Sequence, residues 1–98
     1  MNMQQIMQQA QRMQRDITKK KEAIDAKSFT GKSEWVEVVF NGKREILSFK
    51  LLNNNPIDAD DKEMLEDMIM IAMKDAFKQI DAKTEKELGQ YASMRGLF

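Results

Sequence analysis

The sequence contains no cysteine and no histidine. Without thiols there is no disulfide framework, thiolate metal site or cysteine nucleophile, and without imidazole the common zinc ligands, the Ser-His and Cys-His pairs and the best near-neutral proton carrier are missing too. No phosphate-cradling loop of the GxxxxGK[ST] or GxGxxG kind occurs either. These absences argue against an enzyme, a cofactor or a small-molecule substrate. No run approaches the ~20 apolar residues that span a bilayer, and the opening MNMQQIMQQAQRMQRD lacks a signal-peptide core. The expectation is a cytoplasmic protein with no membrane partner.

Proline is also scarce, with one in 98 residues, and glycine contributes four. With 42% apolar and 33% charged residues, the chain reads as one ordered, helix-rich domain. A domain of this size buries only roughly 60 to 65% of its unfolded surface, so self-association is the natural supplement to a thin core. Net charge is zero, yet it is unevenly distributed. Residues 1–32 hold seven bases and three acids, whereas residues 58–98 hold six bases and ten acids. The basic N-terminal part is thus the local support for a polyanionic partner.

Residues 1–27 read as a first helix, free of proline and glycine, with Met3, Ile6, Ala10, Met13, Ile17 and Ile24 at three- and four-residue steps interrupted by Lys20. A helix of about 24 residues is about 36 Å long, too long to be packed throughout by so small a body. The methionines read as flexible packing residues, not metal or redox groups. Lys19, Lys20 and Lys21 are about 100° apart around the axis and cannot face one way.

Residues 28–52 read as a sheet, with a short strand near Phe29 and a clear strand at Glu34–Phe40, where Val36, Val38 and Phe40 alternate with Trp35, Glu37 and Val39. Asn41-Gly42 predicts a two-residue hairpin turn in which both residues take positive φ. In the return strand Ile46 is out of phase with Leu47, Phe49 and Leu51. A bulge near Ile46-Leu47, or packing on both faces, accounts for this. One sheet face is expected against a helix and the other against a partner.

Residues 58–88 read as a second helix, with Asp60 and Glu63 as its capping box and its early acids at the positive end of the helix dipole rather than around a cation. Its apolar arc is broader than one core stripe requires, which favours a twin chain. Residues 89–98 read as a tail.

Several segments resemble the YbaB/EbfC family. The Met-Gln run Met3–Gln14 looks like its opening helix, Val36–Lys43 its central hairpin, Asp61–Ile69 its second-helix signature, and Gly96-Leu97-Phe98 its usual ending. Two departures stand out. Only Gly31 stands where the family commonly has a glycine-rich stretch before the central strand, and the end of the chain lacks proline.

The resemblance implies an α+β, α-β-β-β-α protomer, an intertwined homodimer, and a nucleoid-associated protein that binds double-stranded DNA. On this reading Arg12, Arg15, Lys19, Lys20, Lys21, Lys27 and Lys32 are the phosphate-contact candidates. Trp35, Val39, Met68, Ile69, Met73 and Phe77 are the candidates for the dimer interface. The glutamines are as good as solvated helix formers as they are as readers of base edges. The competing expectation is a protein-protein interaction scaffold with little or no direct DNA contact.

Overall fold

The computed structural model describes residues 2–91, and the chain runs α1 (Met3–Ala26), β1 (Phe29–Lys32), β2 (Val36–Phe40), β3 (Ile46–Leu51), a short 3-10 turn (Ala59–Asp61) and α2 (Lys62–Leu88). The expected α-β-β-β-α order is therefore observed. Of the expected tail, residues 92–98 lie outside the described residues. Asn2 starts α1 by accepting the Gln5 N–H on its side chain at 2.8 Å, which satisfies one of the free amides of the first turn.

The sheet is antiparallel in the order β1-β2-β3. Helix α2 crosses β1 and β2, burying Val36, Val38 and Phe40 with Phe29, Ala72, Ala76 and Ile80. Small residues set the approach. A Cβ on Gly31 would lie 1.9 Å from the Ala72 carbonyl and 2.9 Å from the Ala76 Cβ, so β1 touches the helix backbone directly. The outer edge of β1 is closed by the same helix, because Gln79 Nε2 donates to the Thr30 carbonyl at 2.8 Å and the Lys32 N–H donates to Asp75 Oδ2 at 3.0 Å. No such clamp runs along the outer edge of β3 among the described residues.

Three local expectations are corrected. The β2–β3 connection spans residues 41–45, and the residue with positive φ is Arg44, at 66°, not Asn41 or Gly42. Asn41 takes over the turn, its Oδ1 accepting the Lys43 and Glu45 N–H groups at 2.9 and 3.0 Å. Gly42 serves proximity instead. Its N–H donates to the Asp25 carbonyl at 3.2 Å, and a Cβ there would lie 2.1 Å from the Ile24 carbonyl, so the hairpin tip rests on the end of α1.

The capping box also lies earlier than Asp60 and Glu63. It is formed by Asp58 and Asp61 around the 3-10 turn, and Asp61, the N-cap of α2, makes no side-chain cap bond. The extra turn uses two of the acids that the sequence reading assigned to the helix itself.

The third correction concerns the sheet faces. Val39 pairs with Ser48 and Phe40 with Ile46, leaving Leu47 as the extra residue of a bulge, so the sequence's phase break is a bulge. Ile46, Leu47, Phe49 and Leu51 then share the face of Val36 and Val38. They remain exposed because α2 does not reach β3. The opposite face is largely polar, with Lys32 and Glu37 paired at 3.9 Å. Uncovered apolar surface therefore lies beside the helix, on the same face of the sheet.

The molecule measures 70 × 19 × 16 Å. Only Ile17 and Ile24 of α1 are buried, and Tyr91, in a 3-10 turn following α2, meets α1 around Gln9, Arg12 and Met13. The N-terminal part of α1 extends past this point as an arm.

Candidate nucleic-acid interface

Arg12, Arg15 and Lys19 are three and four residues apart, which places them within about 60° of one another around α1. All three are exposed, on the side away from Ile17 and Ile24, and none makes an ion pair or hydrogen bond among the described residues. They form a row of uncommitted cations.

The remaining basic candidates are engaged differently. Lys20 is half-buried with its ammonium 5.5 Å from the Tyr91 ring centre, and Lys21 pairs with Asp25 at 3.6 Å. Lys27 sits 5.8 Å from the Phe29 ring centre, while Lys32 lies on the outer sheet face against Glu37. The seven candidates thus do not form one surface.

Two lysines absent from the sequence reading join it. Lys20, Lys27, Lys83 and Glu87 line a hollow where α1 crosses the end of α2, and Lys27, Lys83 and Lys86 line the adjoining one. Lys83 bonds Glu87 at 3.0 Å and, mainly through that bond and its charge, holds the Glu87 carboxyl below the ordinary carboxylate range, with Lys20 and Lys86 adding to the effect. This end of α2 therefore adds cations beside α1. The sequence signal was present but averaged away: residues 58–67 carry six acids and one base, whereas residues 74–91 carry four of each.

The dimer candidates divide as well. Trp35, Met68, Ile69, Met73 and Phe77 are half-buried against the chain's own core, and Val39 is half-buried on the opposite sheet face. Phe77 packs 4.7 Å from Phe40, and the Arg44 guanidinium covers its ring at 4.7 Å while pairing with Asp81. Larger exposure belongs to Ile46, Leu47, Phe49 and Leu51 on β3 and to Met70 on α2, at 43 to 58%. Their alternation was visible in the sequence, but not that α2 stops short of them.

Fold and surface define a small α+β protein whose first helix carries a row of cations beside the body and runs on as an uncharged arm, and no group of three or more potential metal-ligating side chains occurs among the described residues. Residues 1–95 match the YbaB/EbfC DNA-binding family, and the chain belongs to that family. It is 41% identical over 93 residues to a nucleoid-associated protein of Lactobacillus delbrueckii subsp. bulgaricus, covering 93% of this chain and 84% of that one. A nucleoid-associated protein of Lactococcus lactis subsp. cremoris is 43% identical over 95 residues, with 93% of each chain covered. The fold is similar to the crystal structure of an uncharacterized protein from Helicobacter pylori, with a TM-score of 0.75, 21% identity, and 94% and 98% of the two chains covered. The family is a DNA-binding family and not an enzyme family. No helix among the described residues is long and apolar enough to cross a membrane.

Proposed function

We propose that this chain is a nucleoid-associated protein that binds double-stranded DNA as a homodimer through the basic face of α1, affecting nucleoid organisation or gene expression. The observation that carries the reading is the row Arg12, Arg15 and Lys19, exposed along one face of α1 and unpaired among the described residues. Lys20, Lys27, Lys83 and Lys86 extend the positive surface along the helix crossing. The acids of residues 58–67 precede and begin α2, whereas the cationic hollows lie at its other end. A zero net charge is then compatible with an oriented approach to a polyanion.

Homodimerisation is supported by the uncovered β3 surface. Among the described residues its outer edge lacks the side-chain clamp that closes β1, and Ile46, Leu47, Phe49 and Leu51 expose large apolar area next to it. An open, apolar edge strand calls for pairing or cover. The nucleoid is the corresponding location.

Fluorescence anisotropy with a labelled duplex at rising salt tests the DNA reading. Affinity should fall with salt, and Arg12→Glu/Arg15→Glu/Lys19→Glu should flatten the log-log slope by roughly 0.9 for each lost phosphate contact. Wild-type binding with a slope near zero, or full affinity in the triple variant, counts against it. The same β3 surface favours a second reading, in which it docks another protein and DNA contact is minor. A partner retained by the chain from nuclease-treated lysate, with no duplex bound in the titration, would support that alternative.

A further inference from the structure

Met3, Ile6, Ala10 and Met13 continue, at three- and four-residue steps, the seam whose inner part, Ile17 and Ile24, is buried in the core. The outer part is bare: Met3 is 73% exposed, Ile6 46% and Met13 36%. The chain's own second helix does not cover it, because the described helical path ends at Tyr91, beside Gln9, Arg12 and Met13. Residues 2–11 contain no charged side chain, and glutamines flank the seam. The cations Arg12, Arg15 and Lys19 stand on the other side of the helix.

A seam with this spacing and no charge is self-complementary. Two copies can be brought together along it without the like-charge repulsion that a basic helix would otherwise suffer. An antiparallel pair centred on residue 8 sets Ile6 against Ala10 of the second copy. It also keeps the two Arg12 residues roughly 12 Å apart along the axis, further than the Debye length of about 10 Å at 0.1 M salt. A parallel pair would bring Arg12 and Arg15 of the two copies to the same level, so the antiparallel arrangement is favoured.

We propose that the uncharged outer seam of α1 docks antiparallel on the same seam of a second molecule, joining two helices that hold DNA further along, at Arg12, Arg15 and Lys19, and so bridging two duplexes. The pairing stands on the seam itself; only the bridging step rests on the DNA reading above.

The absence of cysteine makes a direct test possible in the full chain. Preassembled Ile6→Cys and Ala10→Cys proteins are mixed without DNA and oxidised briefly, so that mixed products join separate molecules. Because pairing raises the effective concentration, the mixed product should form on the order of tenfold faster than from Gln4→Cys with Gln8→Cys, which lie off the seam. Equal rates overturn the pairing.

Bridging is read by capture of a free labelled duplex on an immobilised one. Ile6→Glu/Ala10→Glu should lose that capture while retaining wild-type affinity for a single duplex. Undiminished capture in this variant, or none by wild-type protein that binds single duplexes, overturns bridging. Failure of wild type to bind any duplex removes the DNA reading and the bridging with it, while the cross-linking result still decides the pairing.

Discussion

Gly31 and Gly42 show how a residue type is fixed by a neighbour rather than by its own backbone angle. Neither has positive φ, yet at each an added Cβ would meet a helix carbonyl at about 2 Å, at 1.9 and 2.1 Å respectively. Backbone cannot yield as a flexible side chain does, so Gly31→Ala and Gly42→Ala should each cost about 1–3 kcal/mol, measured by urea denaturation. Glu87 offers a complementary test in pH. Its carboxyl is held below the ordinary range by Lys83, so its contribution to stability is present at neutral pH and lost as pH falls through the lowered value. Glu87→Gln should therefore be less stable than wild type at neutral pH and converge with it in acid, once the pH lies below the lowered value, as followed by urea melts at neutral and acid pH.

At the scale of elements, α1 is one continuous helix with two environments. Ile17 and Ile24 lie in the core, while Met3, Ile6, Met7 and Met13 are exposed. Helices without tertiary packing are marginal at this length. Amides of residues 3–12 should exchange hydrogen much faster than those of residues 17–26, and mass spectrometry of peptic fragments would read the difference. Uniform protection along α1 in a dilute sample would show that the arm is already covered. β3 has the opposite character: its backbone is held by β2, while its side chains await cover.

For the whole molecule, the two exposed surfaces carry different consequences. If the β3 face supports the homodimer, Phe49→Glu/Leu51→Glu, introduced together with Ile6→Glu/Ala10→Glu to keep the α1 seams apart, should reduce the mass seen by light scattering to that of one chain while preserving helix content. Unchanged mass would move the interface elsewhere. The charge-reversed α1 variant should instead keep its mass and lose salt-dependent DNA affinity. These two variants separate assembly from DNA contact.

Periodicity and residue type, legible in the sequence, determined both long helices, the alternating strand, the phase break at Ile46-Leu47 and the basic character of α1, because each depends on neighbours a few positions apart. The lack of cysteine and histidine likewise narrowed the chemistry without any fold. Tertiary structure decided which side of the sheet stays open, why Gly42 is needed, and which lysines stand together. Those answers depend on where α2 lies across the strands, on the hairpin tip that rests on the end of α1, and on the α1–α2 crossing that brings Lys83 and Lys86 beside Lys20 and Lys27. Such contacts join residues well separated along the chain, from 18 positions for Ile24 and Gly42 to 63 for Lys20 and Lys83, and no local pattern encodes the distance between them.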